Sequence, residues 1–239
     1  MQIEHILGLI SFLTSAVAGI VGFGGGMLLI AILPLFLNPA VIIPIHGITQ
    51  LASNSSRMVF SLKDVHWRLL PAFLAGSVIG VLLFGFLLST LPTQYVPIGI
   101  GLYIILNLWC VRFSRFISKY ENYTIIGLLQ TGLGLIVGAT GPLSLTVLTK
   151  ELSSKDQVIA TSSLFMTISH LAKIPVFMVM GVSLLDHTTL LFYMIAGSII
   201  GSFIGTQLRL AANNEKLMFA IKILLTLIAC RLLLTAIVP

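Results

Sequence analysis

Two stretches of this chain set polar side chains among apolar ones at a spacing that could do chemistry. In the first, His46, Gln50, Asn54 and Arg57 recur at intervals of four, four and three, which puts them on one helix face, with Thr49 and Ser53 alongside. At an offset of 116 residues the matching positions are Ser162, Met166, His170 and Lys173, with Ser169 opposite Ser53. Arg57 and Lys173 are thus equivalent, each well inside an apolar segment. A cation held in lipid is costly and usually faces a pathway or a partner. The apolar segments offer few acids to neutralise it, which favours an anionic ligand. The alternative is that both side chains snorkel to the interface. Lone histidines on polar stripes, such as His46 and His170, fit hydrogen-bonded groups or proton carriers better than a haem pair.

Each stretch follows a glycine-rich interruption. Gly22, Phe23, Gly24, Gly25 and Gly26 stand in the middle of an uncharged run of 32 residues from Ile6 to Leu37. As one helix rising ~1.5 Å per residue, such a run reaches about 48 Å, whereas a bilayer's hydrocarbon core is about 30 Å thick. The glycines also make a poor helix interior, each costing ~1 kcal/mol relative to alanine. The run is therefore expected to break: one half-helix enters, the chain turns at the glycines, and a second half-helix leaves. A second uncharged run, Tyr123 to Thr149, carries Gly138, Ala139, Thr140, Gly141 and Pro142 in its middle. Irregular backbone at membrane depth survives only where protein or a water-filled cavity satisfies its polar groups, so both breaks read as the lining of a site. Second half-helices starting mid-membrane, near Gly26 and at Pro142, would aim free N–H groups and a partial positive charge at an anion. Thr140 and Ser144 can add hydroxyl donors, and Gln130 and Thr131 either line the same cavity or pack. Against this stands the reading that the glycines only permit close packing.

The elements that must position these groups belong to a membrane protein. The chain is 57% hydrophobic and 8% charged over 239 residues, against roughly 25% charged residues in soluble domains. It reads as one transmembrane domain, 1–239, with no polar segment long enough for a soluble one. The first apolar run is too long for the core of a cleaved signal. The net charge of +6 fits Lys and Arg gathered in cytoplasmic loops rather than nucleic-acid binding. Cys110 and Cys230 are single cysteines on separate segments, which suggests neither a disulfide framework nor a metal site.

After the first broken run come apolar segments at roughly 41–60, 69–91 and 95–111, then a basic connector with Arg112, Arg115 and Lys119. After the second come segments at roughly 157–180, 188–208 and 216–236. The order is a long broken run plus three spans, twice, dividing the chain into repeats 1–119 and 120–239. Gly22 and Gly25 fall on Gly138 and Gly141. Ala75 to Gly80 (AGSVIG) falls on Ala196 to Gly201 (AGSIIG) at an offset of 121. If each long run crossed once, the loop charges would divide as Lys63, Arg68, Arg112, Arg115 and Lys119 against Lys150, Lys155, Arg209 and Lys216. If both runs are hairpins, all nine fall on one side, which the positive-inside rule makes cytoplasmic. The expected fold is therefore an all-α polytopic membrane protein of two inverted repeats, each a broken re-entrant helical hairpin plus three transmembrane helices. Inverted repeats with discontinuous helices near the midplane are a common transporter plan.

Together the glycine motif with Pro34 eight residues on, its degenerate copy Gly138-Ala139-Thr140-Gly141-Pro142, and the twin Ala-Gly-Ser-x-Ile-Gly segments resemble the sulfite exporter TauE/SafE family, also called the toluene-sulfonate uptake permease family. The resemblance covers essentially the whole chain. It implies a secondary carrier of small sulfur-containing or organic anions, of the sulfite, thiosulfate, sulfonate or sulfoacetate type, in a prokaryotic inner membrane. The second motif departs from the pattern, with Thr140 in place of a glycine and Pro142 gained.

Residues and resemblance together predict a substrate-binding set of Gly22, Phe23, Gly24, Gly25, Gly26, Gln50, Asn54, Arg57, Gly138, Thr140, Gly141, Pro142, Ser144, His170 and Lys173, without catalytic residue, metal or cofactor. The partners expected are a small anion and the lipid bilayer. A coupling proton or cation and a homo-oligomer are left open. Transport by alternating access is the leading expectation, and no Walker A pattern points to ATP. An anion channel and an intramembrane enzyme built on His170 are the alternatives. The enzyme would call for paired acids or a metal-ligand cluster, which no span carries.

Overall fold

The computed structural model describes residues 2–118, 122–208 and 214–237. Lys119 and Arg209, two of the nine loop charges, lie outside the described residues. Among the described residues the chain forms twelve α-helices and no strand.

The first uncharged run makes α1 (Ile3–Val21) and α2 (Gly25–Ile32). Gly22 closes α1 with φ 99°, its N–H donating to the Ala18 carbonyl at 2.8 Å, and Gly24 follows with φ 90°. Both conformations are rare for a residue with a Cβ, which is why glycine stands there. The second run makes α7 (Tyr123–Val137) and α8 (Pro142–Glu151), parted at Gly138 with φ 80°. Asn122 caps α7 by accepting from the N–H groups of Thr124 and Ile125.

Both runs fold back on themselves. Gly25 lies so close to α1 that a Cβ would meet the Thr14 carbonyl at 1.9 Å. Thr14 lies about 16 Å along α1 from Ile3, so α2 starts halfway down α1, although α1 continues for two more turns. The arms are thus less equal than a turn at the midpoint of the run would make them. At the far end of the first run, Leu37 lines a surface cavity together with Ile3 and Glu4. In the second run, the Tyr123 hydroxyl donates to Glu151 Oε2 at 2.5 Å, tying the start of α7 to the end of α8.

The remaining helices are α3 (Pro39–Phe60), α4 (Leu70–Thr90), α5 (Val96–Trp109), α6 (Val111–Ser118), α9 (Lys155–Leu171), α10 (Lys173–Val179), α11 (Thr188–Leu208) and α12 (Asn214–Ile237). Among the described residues, five helical stretches are long and apolar enough to cross a membrane: Ile3–Val21, Trp67–Thr90, Lys155–Val179, Leu185–Leu208 and Glu215–Leu234. Two expected spans differ from this description. Helix α3 is long enough at 22 residues, but its buried polar stripe lowers its mean hydropathy. Helix α5 has 14 residues, about 21 Å, and the basic connector behind it forms a helix of its own, α6. The segment expected as one span at 157–180 is split at Ala172. Pro175, four residues after Leu171, has no N–H for the Leu171 carbonyl, and its ring crowds that carbonyl.

Packing is reciprocal between the halves. Helix α1 lies along α11, and α4 along α7. A Cβ on Gly197 would meet the Gly8 carbonyl at 2.3 Å and one on Gly201 the Phe12 carbonyl at 2.1 Å. A Cβ on Gly76 would meet the Thr124 carbonyl at 1.8 Å and one on Gly80 the Leu128 carbonyl at 2.4 Å. These pairs map onto each other under the offsets of 116 and 121. Small residues at such crossings let backbones approach where no hydrophobic force drives helices together. Each interface also carries a buried hydroxyl cluster. Ser53 donates to Ser15 at 2.9 Å and lies 3.0 Å from Ser202 Oγ, while Thr131 donates to Ser77 at 2.8 Å and lies 3.0 Å from Ser169 Oγ.

Candidate functional site

Helices α3 and α9 cross at the centre, with the two breaks against them. The polar stripe of α3 faces inward throughout: His46, Gln50, Asn54 and Arg57 are all buried. Side chains link along it. Arg57 Nη2 donates to Asn54 Oδ1 at 2.5 Å, and Asn54 Nδ2 donates to the Gln50 carbonyl at 2.7 Å. Gln50 Nε2 is buried and makes no hydrogen bond among the described residues, and a buried donor without a partner costs roughly 1–3 kcal/mol.

Gln50, Asn54 and Arg57 line a small cavity of about 30 Å³, partly open to solvent. Its other walls are Gly22, Phe23, Gly24 and Gly26 from the first break, and Gly141 and Pro142 from the second. The N-terminal ends of α2 and α8 therefore meet at one space. The two ends differ in what they have free. Pro142 has no N–H, the Leu143 N–H donates to the Thr140 carbonyl at 3.1 Å, and the Ser144 N–H donates to Gln130 Oε1 at 3.1 Å. At α2 the backbone ladder begins with Leu28 N–H to the Gly24 carbonyl at 2.9 Å, so the N–H groups of Gly25, Gly26 and Met27 lie outside it.

Of the residues expected at the site, nine share this cavity: Gly22, Phe23, Gly24, Gly26, Gln50, Asn54, Arg57, Gly141 and Pro142. Gly25 instead packs on α1. Thr140 Oγ1 donates to the Gln130 carbonyl at 2.7 Å, and Ser144 Oγ to the Gly141 carbonyl at 3.3 Å. Gln130 and Thr131 pack rather than line. Sequence reasoning left out Ala18, Met27, Ala139, Ser162, Ser163 and Met166, which complete the wall. Ser162 and Met166 were visible as equivalents of His46 and Gln50, and the same offset puts Ser163 on Gly47.

Gly138, His170 and Lys173 form a second group with His46, away from the cavity wall. Lys173 Nζ donates to the Gly138 carbonyl and lies 3.1 Å from His170 Nδ1. His46 Nε2 lies 2.9 Å from the Gly26 carbonyl, and the two imidazoles meet edge to face with centroids 5.4 Å apart. Arg57 and Lys173 are the two cations among the described buried residues, which include no carboxylate. The six described acids, Glu4, Asp64, Glu151, Asp156, Asp186 and Glu215, sit in loops or within the terminal turns of helices.

A helical bundle of apolar spans around a polar, cationic interior defines a multi-pass membrane protein of the cell membrane. The chain belongs to the sulfite exporter TauE/SafE family, whose model matches residues 7–232. This is a family of transmembrane transporters. No curated protein and no solved structure matches the chain.

Proposed function

We propose that the protein is a secondary transporter that carries a small sulfur-containing or organic anion across the membrane by alternating access. The observation that carries this reading is the cavity at which both breaks meet, with Arg57 and the unpartnered Gln50 Nε2 among its walls. Helix N-termini attract anions, and a sulfite, thiosulfate or sulfonate oxygen would accept from Gln50, Arg57 and the first N–H groups of α2. Helix α8, whose first N–H groups are committed, contributes its dipole and not its donors.

We read the fold as two inverted repeats around this site. Reciprocal packing of α1 on α11 and α4 on α7 supports that arrangement. So does the placement of the hairpins. The open end of the first lies at Leu37, next to the start of α3. That of the second lies at Tyr123, in one apolar cluster with Val65, just beyond the end of α3. Rocking one repeat against the other would expose the cavity to each face in turn.

Replacing Arg57 by Gln is expected to abolish uptake and counterflow of the anion in proteoliposomes while the protein still purifies as a folded species. Unchanged transport kinetics in Arg57→Gln would remove Arg57 from the mechanism. The substrate is sought by thermal shift of the detergent-purified protein with sulfite, thiosulfate, sulfonates and carboxylates, since a ligand preferring the folded state raises its melting temperature.

A further inference from the structure

We propose that His46, His170 and Lys173 form a proton carrier, so that each anion crosses together with a proton. The inference rests on the transport reading above and supplies its driving ion. All three side chains are buried, and they join the two breaks, with His46 held to Gly26 and Lys173 to Gly138.

The contacts constrain where the protons can lie. A carbonyl can only accept, so His46 donates from Nε2 to Gly26 and keeps a lone pair on Nδ1. With Lys173 as the ammonium, which can only donate, His170 accepts at Nδ1 and carries its proton on Nε2. His46 Nδ1 and His170 Nε2 are both buried without a hydrogen-bond partner among the described residues. An idle acceptor and an idle donor thus sit on neighbouring rings. A proton can pass from the Lys173 ammonium to His170 Nδ1 along their 3.1 Å contact, and His170 Nε2 gives its own to His46 Nδ1 when the two rings, 5.4 Å apart between centroids, turn towards each other. That step leaves Lys173 a neutral amine, His170 neutral in its other tautomer and His46 an imidazolium. Uptake of a proton by Lys173 restores the ammonium, loss of one from His46 restores its neutral ring, and exchange of the His170 proton from Nδ1 back to Nε2 closes the cycle.

The repeat offers an internal comparison. The equivalents of His46, His170 and Lys173 are Ser162, Asn54 and Arg57, which line the cavity. None of these exchanges a proton near neutral pH. The groups able to change charge are therefore confined to one of two related sets. Among the described residues, the charged group outside the cluster that acts on it is Arg57. Helix α2 has no titratable side chain, and those of α7 and α8 are Tyr123, Lys150 and Glu151, at the open end of the second hairpin.

The test uses the intact protein in liposomes with a pH dye inside, voltage clamped by potassium and valinomycin. Thiosulfate and benzenesulfonate serve as probes because both keep their charge through the neutral range. An inward anion gradient is expected to acidify the lumen. A difference of one pH unit is expected to concentrate the anion about tenfold per coupled proton. In His46→Gln, which keeps a donor for the Gly26 carbonyl, counterflow exchange is expected to persist and pH-driven accumulation to vanish. Exchange by the wild type with no change in lumen pH overturns the coupling and leaves the transport reading standing. A His46→Gln protein that concentrates anion as the wild type does also overturns it, as does loss of exchange in both His46→Gln and His46→Asn. Failure of the wild type to exchange either anion overturns the transport reading and the coupling together.

Discussion

Gly25 and Gly26 are neighbours that do different work, and substitution separates them. A Cβ on Gly26 would stand 2.9 Å from Gln50 Oε1, the far end of a flexible side chain in the cavity wall. Alanine there adds up to about 1 kcal/mol of helix propensity and pushes Gln50 aside. Gly26→Ala is thus expected to keep or raise the melting temperature while weakening anion binding by about tenfold, the loss of one hydrogen bond near 1.4 kcal/mol. A Cβ on Gly25 would stand 1.9 Å from a backbone carbonyl that cannot yield, so Gly25→Ala should cost about 1–3 kcal/mol or more in stability. Thermal unfolding with a parallel anion-binding titration checks both. Spacing alone grouped these glycines as one lining, because it reports that backbones approach and not what they approach. It likewise put Arg57 and Lys173 in one set. Their different surroundings, a cavity wall for one and the Gly138 carbonyl for the other, follow from how the breaks close, which periodicity does not encode.

Helix pairing turns the same logic into a symmetric prediction. Gly76 on α4 and Gly201 on α11 hold their partners' backbones within reach of a missing Cβ, at 1.8 Å from Thr124 and 2.1 Å from Phe12. Gly76→Ala and Gly201→Ala are each expected to lower stability by about 1–3 kcal/mol. Gly99→Ala, whose Cβ would meet nothing within 4 Å, is expected to be neutral or stabilising. Unfolding midpoints in detergent decide, and equal tolerance at all three positions would contradict the close approach. The motif Ala-Gly-Ser-x-Ile-Gly was legible as a repeat marker, but which helix it packed on was not, since partner choice is a tertiary matter. The breaks at Gly22 and Gly138 and the start of α8 at Pro142 were legible because glycine and proline limit the backbone directly. Pro175 was equally visible, yet its split at Ala172 was passed over, since hydropathy runs unbroken across a kink.

At the scale of the whole molecule, the loop charges predict which end faces which solution. Lys63, Arg68, Arg112, Arg115, Lys150, Lys155 and Lys216, together with Lys119 and Arg209, fall on one side only if both uncharged runs return to the side they enter. Hydropathy cannot separate a run that crosses from one that turns back, because both are uncharged along their length. The fold-back seen at Thr14 and at Glu151 makes the hairpin count the physical one. Single cysteines on a background lacking Cys110 and Cys230 put this to the test with a membrane-impermeant maleimide. His5→Cys, Asn38→Cys, Thr93→Cys and Asp186→Cys are expected to react from outside intact cells. Asn122→Cys and Lys150→Cys are expected to react only after the membrane is opened. Ile3, Glu4 and Leu37 share one cavity with Asp186, so a protein in which positions 5 and 38 label from opposite faces cannot have this fold. In such a protein the ends of α2 and α8 would no longer meet at Arg57, and the proposed anion site would go with them.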